Sequence, residues 1–100
     1  MVKLKLKVLW FKELLGLAID QNIEFQSSPI TSYYIWPKTE AWEQLKLELD
    51  SRPWLSSKEK VKILNLTTEI INYWHKKRET ESLDKIIPRF KEISFLEIDN

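Results

Sequence analysis

At 100 residues, the chain has room for one domain with a single modest core, and 43% hydrophobic residues with five tryptophans among them place it outside the disordered class. No cysteine is present, which excludes a disulfide framework and a thiolate zinc site, and a lone glycine excludes a P-loop or a G-x-G-x-x-G fingerprint. Sixteen basic and fifteen acidic residues leave a net charge of +1, so any nucleic acid must be met by a local patch touching few phosphates.

The N-terminal MVKLKLKVLW lacks the long apolar run of a secretory signal and the Ser- and Arg-rich texture of a transit peptide. No apolar stretch is long enough for a membrane span, so no membrane partner is expected. Val2, Leu4, Leu6, Val8 and Trp10 alternate with Lys3, Lys5, Lys7 and Leu9, the period of a strand with one buried and one cationic face. Lysines two apart on a strand are about 6.5–7 Å apart, close to the spacing of successive phosphates in a nucleic-acid backbone. On chemistry alone the plainer reading is favoured, a solvated sheet face with lysines guarding an edge. Residues 11–14 read as a turn and 15–20 as a second strand, a hairpin preferred over a short helix across the same stretch. Residues 20–28 read as a loop.

The stretch from Ser28 to Trp54 holds two tyrosines, three tryptophans and three of the four prolines. Residues 29–36 read as a third, aromatic strand that Pro37 must end, because proline donates nothing to a ladder. Alternation puts Tyr34 and Trp36 on the core face and leaves Tyr33 as the more exposed ring, the one available for stacking on a base. Thr39 is the expected N-cap of a helix over 39–50, in which Trp42, Leu45 and Leu49 share a face. Ser56 and Glu59 have the spacing of a capping box that opens a second helix over 57–78. In it Ile63, Leu64, Leu66, Ile70, Ile71, Tyr73 and Trp74 form one broad apolar arc, and His75, Lys76, Lys77 and Arg78 close it. Cations there suit the helix dipole whether or not they meet phosphate. Residues 79–100 are too apolar at Phe90, Ile93, Phe95, Leu96 and Ile98 for a disordered tail. They either add a strand to the sheet or lie against a partner.

No catalytic constellation is visible. His75 is the only histidine and falls on the polar arc of its helix, which makes it a solvated surface residue before a ligand or a base. Binding or assembly therefore takes precedence over catalysis, with no cofactor, no metal and no small-molecule substrate expected.

The runs SPITSYYIWP and AWEQLK, the RPW that follows, and the capped helix ending in INYW together resemble the plastid-specific ribosomal protein three family, which has cyanobacterial relatives. LKVLWF and GLAIDQ extend the resemblance upstream. It implies a structural component of the small (30S) subunit of a chloroplast-type ribosome, in the plastid stroma or in a cyanobacterial cytoplasm, bound to small-subunit rRNA and neighbouring ribosomal proteins. It implies no enzymatic activity and no cofactor. The expectation is an α+β domain over 1–78, a small, mostly antiparallel sheet of about three strands covered by two helices, with a C-terminal extension over 79–100. Charge placement makes Lys3, Lys5, Lys7, Lys38, Lys76, Lys77 and Arg78 the candidate rRNA contacts, with Tyr33 for stacking. The alternative is a protein–protein adaptor with no RNA partner that docks through its apolar C-terminal segment.

Overall fold

The computed structural model describes residues 2–96. Its elements are β1 (Val2–Trp10), β2 (Leu15–Ile23), β3 (Gln26–Pro29), β4 (Tyr34–Trp36), α1 (Ala41–Asp50), α2 (Ser57–Lys77), a one-turn α3 (Leu83–Ile86) running into a 3-10 turn (Ile87–Arg89), and β5 (Ile93–Leu96). The expected α+β class is what forms, with a mixed sheet of five strands, β3-β2-β1-β5 and β4 also on β2.

β1 alternates as its period dictates: Leu6 and Val8 are fully buried, Val2, Leu4 and Trp10 pack around them, and Lys3 is exposed. Only its second half differs from the expected edge. Antiparallel β2 flanks β1 along its whole length, from Val2 opposite Ile23 to Trp10 opposite Leu15, and parallel β5 covers residues 6–9 on the other side. Lys7 therefore stands between two strands, while Lys3 and Lys5 keep an open edge on the β5 side among the described residues. The β1–β2 connection is a hairpin, closed by Phe11 N–H donating to Leu14 O at 3.1 Å. Gly16 lies opposite Leu9, whose Cβ would stand 3.0 Å from any Cβ added there, so only glycine fits without displacement.

Residues 20–28, expected as a loop, are the end of β2 and the first three residues of β3, joined by Glu24 and Phe25. Glu24 adopts a left-handed φ of 55°, a conformation usually given to glycine or asparagine, and no such residue marks the turn in the sequence. The expected strand over 29–36 is split in two. β3 ends with Pro29 opposite Asp20, and β4 begins with Tyr34 opposite Leu17. Between them Ile19 O accepts from the N–H groups of Ile30 (2.9 Å) and Thr31 (3.2 Å), while Ile19 N–H donates to Thr31 Oγ1 at 3.0 Å. A side chain thus continues the ladder where one strand hands over to the next. Arg52 fixes the same place, donating to Ile30 O at 2.8 Å and to Glu48 O at 2.6 Å.

Thr39 does not cap α1. Its N–H and hydroxyl both donate to Ile35 O, at 2.9 and 3.0 Å, so its oxygen closes the corner after β4 and the N-cap position falls to Glu40. α1 buries Ala41, Leu45 and Leu49, and half-buried Trp42 donates its indole N–H to Leu64 O at 3.2 Å. α2 is capped as expected on one side only: Ser56 Oγ accepts from Glu59 N–H at 3.2 Å. The Glu59 carboxylate turns instead to Leu4 N–H, also at 3.2 Å. Ile63, Thr67, Ile70, Ile71 and Trp74 form the buried stripe of α2. Trp74 is fully buried and donates its indole N–H to Phe11 O at 2.7 Å, tying the helix end to the β1–β2 turn.

Beyond α2 the Tyr73 hydroxyl bonds the Glu81 carboxylate, Ile86 is fully buried, and the rings of Tyr73 and Phe90 meet edge to face at 5.1 Å. Of the two readings left open for the tail, a strand is what forms: β5 buries Ile93 against the core. Ile98 of the expected apolar segment lies outside the described residues.

Candidate nucleic-acid interface

Three of the proposed contacts stand on β1, with different freedom. Lys3 is exposed; Lys5 and Lys7 are half-buried. Lys7 Nζ lies 2.9 Å from Asp20 Oδ1 on β2 and 5.3 Å from the centre of the Tyr33 ring, so its charge is already matched and partly covered. Tyr33 is not the exposed ring expected of a stacking platform. It precedes the short β4 and settles by Lys7, half-buried, with a hydroxyl that is buried and has no hydrogen-bond partner among the described residues. Burial pushes its phenol above the usual tyrosine value; Lys7 opposes this and Asp20 reinforces it. Tyr34 and Trp36 share the core face of Leu17 and Leu15, as alternation requires.

The other four candidates gather at the far end of α2. Trp36 donates its indole N–H to His75 Nε2 at 3.0 Å, which fastens the corner carrying Lys38 to the last turn of the helix. His75 is exposed as expected, yet it holds this bond, which the sequence did not signal. Lys38 and Lys76 are exposed, Lys77 half-buried, and the Arg78 guanidinium sits 4.5 Å over the Trp74 ring. That cation–π contact presents Arg78 in one orientation.

Lys3 and Lys5 do not join that patch. They line a groove of about 340 Å³ together with Lys62 of α2 and Lys91 just before β5, with Glu59 and Glu92 on its walls and Leu4, Ile63 and Leu66 as its apolar part. Lys62 and Lys76 are fourteen residues apart on one helix, which is about 21 Å at 1.5 Å per residue, so the chain has two basic regions and not one. No local pattern singles out Lys62, between Val61 and Ile63, or Lys91, between Phe90 and Glu92. Only the fold brings them beside β1. Among the described residues no three His, Cys, Asp or Glu side chains converge as metal ligands.

The small ribosomal subunit protein cS23 of Gracilaria tenuistipitata var. liui is 48% identical over 96 residues, which cover 96% of this chain and 97% of that protein. A model of the plastid and cyanobacterial ribosomal protein (PSRP-3 / Ycf65) family matches residues 30–77. The chain belongs to that family. The cS23 protein of Cyanidium caldarium is 49% identical over 80 residues, covering 80% of this chain and 79% of its own. A probable cS23 of Synechococcus sp. (strain JA-2-3B'a(2-13)) is 40% identical over 93 residues, covering 93% and 94%. The PSRP-3 / Ycf65 match spans β4, α1 and α2, and so includes Lys38, Lys62, Lys76 and Lys77, while the relative from Gracilaria extends the likeness to nearly the whole chain.

Proposed function

We infer that this protein is a structural constituent of the small ribosomal subunit, in a plastid or in a cyanobacterial cytoplasm. The observation that carries this is the near full-length likeness to proteins named small ribosomal subunit protein cS23. Its work is to hold an assembled ribonucleoprotein in shape, contacting small-subunit rRNA and neighbouring ribosomal proteins, and it catalyses no reaction. A net charge of +1 suits a peripheral position with a small RNA footprint and much protein contact. Of the proposed phosphate contacts, Lys3, Lys38 and Lys76 are exposed, and Lys5, Lys77 and Arg78 are half-buried. Lys7 serves chiefly to order Tyr33 and Asp20. Against the adaptor reading, Ile93 is buried and Phe90 and Phe95 pack against the core, so these three residues of the apolar tail are engaged within the fold, while Leu96 is exposed.

Co-sedimentation tests the inference. The protein travels with small subunits at low salt and leaves them at moderate salt, since a contact with three or four phosphates gives a log–log salt slope of about −3. Recovery only in complexes that survive ribonuclease would overturn it in favour of the adaptor.

A further inference from the structure

We propose that the groove beside the first half of β1 is a phosphate-backbone site: Lys3, Lys5, Lys62 and Lys91 converge there to grip a segment of RNA by its phosphodiesters. The proposal rests on the RNA-binding reading above and assigns it a place. Four lysine and two glutamate residues line one concavity of about 340 Å³. Among the described residues none of the four lysines is within ion-pair distance of an acid, although Lys7, Lys46 and Lys60 all are. Cations of a solvated face usually drift toward nearby carboxylates. Here Glu59 accepts from Leu4 N–H at 3.2 Å, and neither it nor Glu92 is within ion-pair distance of a lysine of the groove among the described residues. The groove exists because β5 pairs only with residues 6–9 of β1, leaving residues 2–5 without a strand on that side among the described residues. An extended polyanion fits such a trough, with Lys3 and Lys5 spaced about 6.6 Å apart along the strand to meet consecutive phosphates. Lys62 and Lys91 reach it from a helix and from the approach to β5.

The test is the salt dependence of binding to a small-subunit rRNA transcript, between about 50 and 300 mM monovalent salt. Lys62 and Lys91 are exposed, so the K62Q/K91Q double variant should keep its thermal melt. The wild-type slope is expected near −3, and the double variant should lower its magnitude by about 1.5. The K12Q/K85Q pair, which removes the same charge outside the groove, should leave the slope alone. Glu59→Gln keeps an acceptor for Leu4 N–H but removes a repelling charge, and should tighten binding roughly threefold. Wild-type binding indifferent to Lys62, Lys91 and Glu59 overturns the groove and leaves the RNA reading standing. An equal effect of K12Q/K85Q overturns it too, by showing charge alone at work. Loss of subunit incorporation with unchanged transcript binding also overturns it, giving the groove to a protein neighbour. Absence of any salt-dependent binding by the wild type removes the RNA reading and the groove together.

Discussion

Thr31 is a threonine because its position needs both an oxygen and a compact buried side chain. It is 6% exposed, accepts from Ile19 N–H at 3.0 Å and donates to Ser32 O at 2.8 Å. Thr31→Val keeps the shape and leaves Ile19 N–H buried without an acceptor, so urea unfolding should show a loss of about 1–3 kcal/mol with an unchanged m-value. Two tyrosines are expected to contribute to alkaline unfolding. Burial raises the phenols of both Tyr33 and Tyr73, and the Glu81 contact adds to the rise at Tyr73. A raised acid stays protonated longer in the folded state, so its contribution is intact below the ordinary tyrosine value near 10 and is lost as pH climbs through the folded value. Thermal melts should be flat up to that point and fall beyond it. The Y33F/Y73F double variant should flatten the fall.

What the sequence disclosed at this scale was type and face. Tyr34, Trp36, Leu45 and Trp74 all point where periodicity put them. It did not disclose pairings across the fold. The indole of Trp36 finding His75, or Glu59 finding Leu4, depends on chain segments dozens of residues apart, and local spacing carries no information about either.

The elements that were legible are those whose signal is long and unopposed. β1 repeats its alternation over nine residues, and α2 carries a polar cap and an apolar stripe over twenty-one. Where the chain departs from the reading, a specific competing interaction wins. The β2–β3 turn was hidden because Glu24 takes a conformation its residue type does not advertise. The single strand over 29–36 broke because Thr31 offered β2 a side-chain acceptor, and Arg52 held the break in place. Ser56, by contrast, does what its motif says. Ser56→Ala should cost about 1 kcal/mol in chemical denaturation, by stripping the acceptor from Glu59 N–H at the start of α2.

At the scale of the whole molecule, the sheet is finished by the tail. β5 lies parallel to β1 and buries Ile93, and Phe90 packs edge to face on Tyr73. We propose that residues 2–96 unfold as one unit, so truncation after residue 89 should lower the melting temperature by well over 5 °C, because a loss of 1 kcal/mol alone shifts a domain this size by about 4–8 °C. A separate, earlier transition for the tail would contradict it. Sequence could not foresee this arrangement. An apolar run of a few residues says that it must be covered but not which strand it joins or in which direction, since a parallel register depends on the intervening path.

The partnership of the first and last strands also bears on how the molecule is made. Leu6 and Ile93 are neighbours in space and eighty-seven positions apart along the chain. During synthesis the β1–β2 hairpin emerges first and waits with one flank bare, since β5 begins 70 positions beyond the end of β2 (Ile23 to Ile93). A nascent chain arrested short of β5 should hold that flank open to a holding chaperone, and release from the arrest should displace the chaperone within the time the last strand takes to dock.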